Sequence, residues 1–295
     1  MEGQGVLKTT TANGCCLLLA FLYVVGFYLF RQSQDKKLTR DHPVVIRKRI
    51  HSVLLASIAS FLVVWAVVPS QHHLISLLGV GLPTGSVLDM IGLVGPVLLT
   101  AVLFLGPLTQ LFFEQQLPCQ SNFSFQYDVK DVICSWVGQR NYIVAPATEE
   151  WVFRACMIAL LYEAGHSIPY LIFVSPMYFG LAHLHHAYEN YHRLGATSEA
   201  FKIAMFSSTF QFCYTTIFGW YASFVFLRTA SIWPPILCHS FCNVMGFPDI
   251  SEINEKRPLE RKVIWSCYVA GIILFIGLLY PLTEPSHVGG SFYWQ

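Results

Sequence analysis

Long apolar runs separated by short polar stretches make up most of this chain. The first covers 14–30, behind a weakly polar leader that carries a single lysine, Lys8. It is long enough to cross a bilayer as a helix and has no evident small-residue cleavage site, so it reads as an uncleaved signal anchor. Further runs cover 51–69, about 87–113, 148–162, 170–183, about 201–227, 232–247 and 263–280. These predict an all-α, polytopic helical bundle of about eight transmembrane helices. Pro234-Pro235 falls in the first turn of the seventh span, where proline is tolerated.

The stretches between the runs look like connections. Gly79, Gly81, Pro83 and Gly85 break 70–86, and polar residues with Pro118 open a connector over 114–147. Within it, 128–138 is mildly amphipathic and is expected along the membrane surface. Asn122-Phe123-Ser124 is a glycosylation sequon that only a lumenal location would use. The short break at 165–169 predicts a hairpin, so that the end of the fifth span at His183 returns to the face where the fourth begins. Thr148 is the expected N-cap of that fourth helix, which would put Glu149 and Glu150 in its first turn, where the dipole favours negative charge.

Composition agrees with a bilayer environment: 54% of the 295 residues are hydrophobic and only 12% are charged. A net charge of +1 with no basic tract gives no reason to expect nucleic acid. The nine cysteines follow no CxxC or paired framework and read as apolar thiols, with Cys15-Cys16 at a helix end open to acylation. The distribution of cations is more informative. Loops 31–50, 114–147, 184–200 and 248–262 hold seven, two, one and four Lys/Arg, whereas the opposite loops hold only Lys8 and Arg228. This asymmetry predicts lumenal termini and cytosolic basic loops, with Arg31, Lys36, Lys37, Arg40, Arg47, Lys48 and Arg49 in the densest of them.

Against this background an ionisable residue at membrane depth is a functional signal by default. Glu150 and Arg154 are four apart, about 40° in projection, and are expected to pair, while Glu149 points about 100° away from Glu150. His183 lies one turn after Phe179, and His239 and Asn243 share one face of the seventh helix. Each feature has a structural explanation: an interface ion pair, a hydrogen-bonded core histidine, an interhelical hydrogen bond. Their conjunction on one leaflet suggests chemistry. Glu149 with His183 could activate a water, and His239 and Asn243 could donate to a developing oxyanion, a set that hydrolyses an amide without a serine or cysteine nucleophile.

The Glu-Glu-x-x-x-Arg of Glu149 to Arg154, the Phe-x-x-x-His of Phe179 to His183 and the His-x-x-x-Asn of His239 to Asn243 resemble, in order and spacing, the three motifs of the CPBP intramembrane protease family. Arg140-Asn141, Pro146 and the run Phe179-Gly180-Leu181-Ala182-His183 with His185-His186 resemble more closely its eukaryotic branch, the Ras-converting CAAX prenyl endopeptidases. The resemblance implies a catalytic core over 128–247, preceded by N-terminal spans and the basic loop (1–127) and followed by a charged loop and last span (248–295). It implies removal of the C-terminal tripeptide from farnesylated or geranylgeranylated cytosolic proteins such as Ras, in the endoplasmic reticulum membrane. It also implies Glu149 and His183 as the catalytic pair, His239 and Asn243 as transition-state stabilisers, Glu150 and Arg154 as structural support, and no cofactor. A substrate already partitioned into the leaflet would suit a cavity open to both lipid and cytosol. Two alternatives remain: a zinc protease using Glu149, His183 and His239 with His185 or Cys238, though His-Glu-x-x-His is missing, and a non-enzymatic scaffold or transporter.

Overall fold

The computed structural model describes residues 7–30, 38–69, 73–183 and 185–294. Among these every regular element is helical. Arg31, Lys36 and Lys37 of the basic loop lie outside the described residues, as does the side chain of His186.

The apolar runs become helices, but several boundaries move. The first helix is Thr9–Leu29. The second is Pro43–Val67, so the expected loop ends at His42, and Arg47, Lys48 and Arg49 ride on the first turns of a helix. Proline at the first position presets its φ, and the His42 side chain accepts a hydrogen bond from Val44 N (3.3 Å). The third run forms two helices, Val87–Leu103 and Leu105–Phe113, bent by 67°. Pro107 lacks the N–H that would have bonded Leu103 O across this break. The fifth divides at Val174 into Ile168–Phe173 and Ser175–Ala182, with Pro176 just inside the second piece. The expected loop after it contains the helix His185–Arg193.

Thr148 does not cap a helix. The chain is already helical from Trp136, through a wide-turned (π) segment at Gln139–Val144, Ala145–Glu150, a second wide-turned segment at Trp151–Cys156 and Met157–Glu163. Pro146 would clash with the carbonyl four residues back in a tight α turn, and the widened turn precedes it. Glu149 and Glu150 therefore lie mid-helix, away from the N-terminal dipole.

Among the described residues, three continuous helices are long and apolar enough to cross a membrane: Thr9–Leu29, Pro43–Val67 and Pro258–Leu282, with the bent 87–113 pair a fourth if counted as one span. The other expected spans are helical but interrupted, short or more polar. Ser198–Thr229 has 32 residues, about 48 Å, and outreaches the hydrocarbon layer, whereas the 13 residues of Trp233–Met245 make only about 20 Å. Pro258–Leu282 buries only Ile264 and Gly271, leaving an apolar surface that suits lipid.

The helices form two compact units interleaved in sequence, which group residues differently from the motif-based blocks: Met1–Gly81, Ala147–Ile232 and Phe292–Gln295 in one, Leu82–Pro146 and Trp233–Ser291 in the other. Within each unit, the loops that the basic-residue count assigns to one face meet one another. In the first, Arg49 of the 31–50 stretch pairs with Glu189 of the 184–200 stretch at 3.1 Å. In the second, Glu114 takes Lys256 Nζ at 2.6 Å and Gln110 Nε2 donates to Glu252 at 3.3 Å, joining the ends of 114–147 and 248–262. The lysine-poor loops meet likewise: Leu7 N donates to Glu163 O, Ile232 N to Gly79 O, and the Tyr293 hydroxyl to Leu77 O. Within the second unit, Gly106 lets the Tyr268 ring press against the bent helix, since a Cβ there would lie 2.3 Å from it.

Candidate active site

The first unit holds Glu149, Glu150, Arg154 and His183. Glu150 and Arg154 form the expected pair: Arg154 Nη1 donates to Glu150 Oε1 at 3.1 Å, with both side chains fully buried. Such a pair is stable only when desolvation is offset on all sides. Here the guanidinium carbon lies 4.7 Å from the centre of the Phe179 ring and 5.7 Å from that of Phe218. Arg154 Nε and Nη2 make no hydrogen bond, and the faces of these rings take that role, as cation–π contact permits. Gly219 makes room: a Cβ on it would stand 2.5 Å from Pro176 Cβ and 3.2 Å from Arg154 Nη2.

His183 is reached through the same ring. The Phe179 ring meets its imidazole edge-on at 4.5 Å, and His183 Nδ1 lies 2.9 Å from Phe179 O. A carbonyl only accepts, so Nδ1 carries the proton, which puts the basic lone pair of the neutral ring on Nε2. Phe153 also packs on Phe179 (4.8 Å), fixing the 145–163 helix against Ser175–Ala182. The hairpin thus brings the Glu149–Arg154 and Phe179–His183 motifs side by side.

Glu149 is half-buried where Glu150 is fully buried, and its charge reaches the Tyr23 and Tyr214 phenols. The flanking residues are anchored to other helices. Thr148 Oγ1 shares a 2.9 Å hydrogen bond with Tyr23 OH, and Trp151 Nε1 donates to Ser57 O at 3.0 Å. The azimuth of Glu149 is therefore fixed from both sides along the helix.

The second unit holds His239 and Asn243, one turn apart on Trp233–Met245, the first buried and the second half-buried. Asn243 Nδ2 donates to Asn141 O at 2.8 Å. Asn141 lies in the wide-turned 139–144 segment, and its own Oδ1 accepts from Arg140 Nε at 2.8 Å. An asparagine amide has two N–H groups, so this bond fixes the side chain while leaving one donor to serve elsewhere.

Sequence reasoning did not anticipate the Phe179–Phe218 seat of Arg154, the space opened by Gly219, or the Asn141 carbonyl under Asn243. Phe218-Gly219-Trp220 is distinctive in the sequence, but a glycine flanked by aromatics does not reveal which partner it admits. His185, the candidate fourth zinc ligand, bonds Ala182 O through Nδ1 (2.6 Å) and packs on Phe27 and Tyr28. Within neither unit, among the described residues, do three His, Cys, Asp or Glu side chains cluster closely enough to hold a metal ion.

The family model described as "Type II CAAX prenyl endopeptidase Rce1-like" matches residues 132–245. CAAX prenyl protease 2 of Homo sapiens is 38% identical over 93% of this chain and 82% of its own length. The probable CAAX prenyl protease 2 of Schizosaccharomyces pombe is 33% identical, over 86% of this chain and 87% of its own. CAAX prenyl protease 2 of Arabidopsis thaliana is also 33% identical, over 96% and 93%. No solved structure matches the chain.

Proposed function

The chain belongs to the type II CAAX prenyl endopeptidase family and is a membrane-embedded protease, and from that premise we propose how its residues cleave their substrate. The substrates are proteins carrying a farnesylated or geranylgeranylated cysteine followed by three C-terminal residues, Ras-like GTPases among them, and the product is the chain shortened by that tripeptide. The enzyme resides in the endoplasmic reticulum membrane with its basic loops and active site toward the cytosol, where prenylated tails enter the leaflet.

Glu149 and His183 are the catalytic pair. Together they hold a water against the scissile amide and take its proton as the oxygen attacks the carbonyl carbon. The carbonyl π pair moves to oxygen, and the oxyanion is met by N–H donors from His239 and Asn243. Collapse breaks the C–N bond, the abstracted proton passes to the leaving amine, and a new carboxylate and a free tripeptide result. Glu150 and Arg154 do not touch substrate and act as positioning residues. No metal takes part in this scheme.

The observation that carries this reading is the contact chain within the first unit. Arg154 pairs with Glu150 and lies on Phe179, and Phe179 in turn orients His183 with its basic nitrogen at Nε2. One carboxylate is fully buried and fixes the scaffold, and its half-buried neighbour Glu149 is the one that acts on substrate. Cleavage of a synthetic farnesylated CAAX peptide by purified protein tests it. Glu149→Gln and His183→Ala each lose a factor of about 10² to 10⁴ in kcat while keeping the wild-type unfolding temperature. Wild-type turnover by either variant would remove that residue from the mechanism.

A further inference from the structure

Glu149 sits in a short piece of regular helix, Ala145–Glu150, between the wide-turned segments Gln139–Val144 and Trp151–Cys156. A wide turn interrupts the ladder of i to i−4 hydrogen bonds, so the rotation of this piece about its axis depends on what grips it from the side. In the first unit the grips come from outside the three motifs. Trp151 is tied to Ser57 O on the second helix, and Thr148 Oγ1 shares its 2.9 Å hydrogen bond with the Tyr23 hydroxyl on the first.

Tyr23 also reaches the histidine side of the site. Its side chain is buried, and its ring packs edge-on against Phe153 at 5.4 Å. Phe153 packs on Phe179 at 4.8 Å, and Phe179 meets the His183 imidazole at 4.5 Å. One turn further along the first helix, Phe27 lies 5.7 Å from the ring of His185, two residues beyond His183. The face of Thr9–Leu29 that carries Tyr23 and Phe27 therefore touches both stretches from which the catalytic pair comes. The second helix holds that first helix close, since a Cβ on Gly26 would stand 2.1 Å from Ser52 Oγ.

We propose that Tyr23 is a positioning residue for the hydrolysis. Its hydroxyl, bonded to Thr148, sets the rotation of Glu149, and its ring, through Phe153 and Phe179, holds that carboxylate in register with His183. The inference rests on the reading of Glu149 and His183 as the catalytic pair. A bond that merely satisfied two buried hydroxyls would bear on stability and not on turnover. Its place in the chain argues for more: Thr148 directly precedes Glu149, in the piece whose helical ladder is interrupted on both sides.

The full-length protein, assayed on the synthetic farnesylated CAAX peptide, tests this. Tyr23→Phe keeps the ring and removes the hydroxyl; kcat falls roughly tenfold while KM stays within about twofold of wild type. Thr148→Val gives a loss of similar size, and Thr148→Ser, which keeps a hydroxyl, recovers most of it. The double variant Tyr23→Phe with Thr148→Val loses no more than the larger single loss, because both substitutions remove one bond. Wild-type kcat in Tyr23→Phe, whether or not its unfolding temperature falls, leaves the bond a purely structural one and overturns the proposal. A rise in KM alone, or single losses that multiply in the double variant, overturns it as well. Glu149→Gln measured alongside separates the two levels: an inactive Glu149→Gln beside a fully active Tyr23→Phe overturns this inference alone, whereas wild-type turnover by Glu149→Gln overturns the catalytic pair and this inference with it.

Discussion

Replacing Glu150 by glutamine keeps the shape of the side chain and removes its charge, leaving the buried Arg154 guanidinium without its hydrogen-bonded counter-ion. Both groups are fully excluded from solvent, so water cannot supply the missing interaction. Breaking one partner of such a pair costs about 3–5 kcal/mol. The glutamine oxygen still accepts one hydrogen bond, and the Phe179 and Phe218 faces continue to hold the cation. The expected loss therefore sits at the lower end, about 3 kcal/mol, or roughly 6–12 °C in the unfolding midpoint of a chain of this size. The double variant Glu150→Leu with Arg154→Met removes both charges and lays an adaptable thioether on the same rings; it recovers to within about 1–2 kcal/mol of wild type. Thermal unfolding of the detergent-purified proteins, followed by fluorescence, measures all three. A Glu150→Gln variant as stable as wild type, or a double variant no better than the single one, would refute the reading of Glu150 as the scaffold carboxylate.

Asn243→Ala removes the proposed oxyanion donor together with its anchor on Asn141 O; kcat on the farnesylated peptide falls by about 10² to 10³ with little change in KM, and a rise in KM alone would point to substrate binding instead. Exhaustive chelation leaves cleavage intact, with no stoichiometric zinc by elemental analysis; loss of activity restored specifically by zinc would replace the water-activation scheme by a metal-based one. Asn122 carries no glycan when the protein is expressed in eukaryotic membranes, because the proposed topology puts its loop on the cytosolic face and its Nδ2 already donates to Glu114 O at 2.8 Å; a mobility shift reversed by a glycosidase would invert that topology.

The sequence revealed the hydrophobic runs, the hairpin and the Glu150–Arg154 pair because each depends on local spacing. Four residues on a helix bring two side chains together whatever surrounds them. It revealed much less where geometry depends on packing. Thr148 followed by two glutamates looks like a helix start, yet the helix begins twelve residues earlier, at Trp136, and the threonine hydroxyl is used by Tyr23. The apolar run at 87–113 gave no hint of a 67° bend, although Gly106-Pro107 lies at its hinge. The seat of Arg154 is assembled from Phe179 and Phe218, 39 residues apart in the chain, and a reading of periodicity has no access to that pairing.

The wide turns on either side of Glu149 and Glu150 also bear on how the active-site helix tolerates insertion and deletion. A widened turn takes up one residue more than an α turn, so the helical rows before and after it stay nearly in phase despite the extra residue. If the chain lost one residue within 139–144, the turn could relax to regular α geometry with little rotation of the flanking rows, whereas the same loss from a regular α stretch would turn one side by about 100° against the other. The wide turn is thus the place in this helix where a change of one residue in length does least damage.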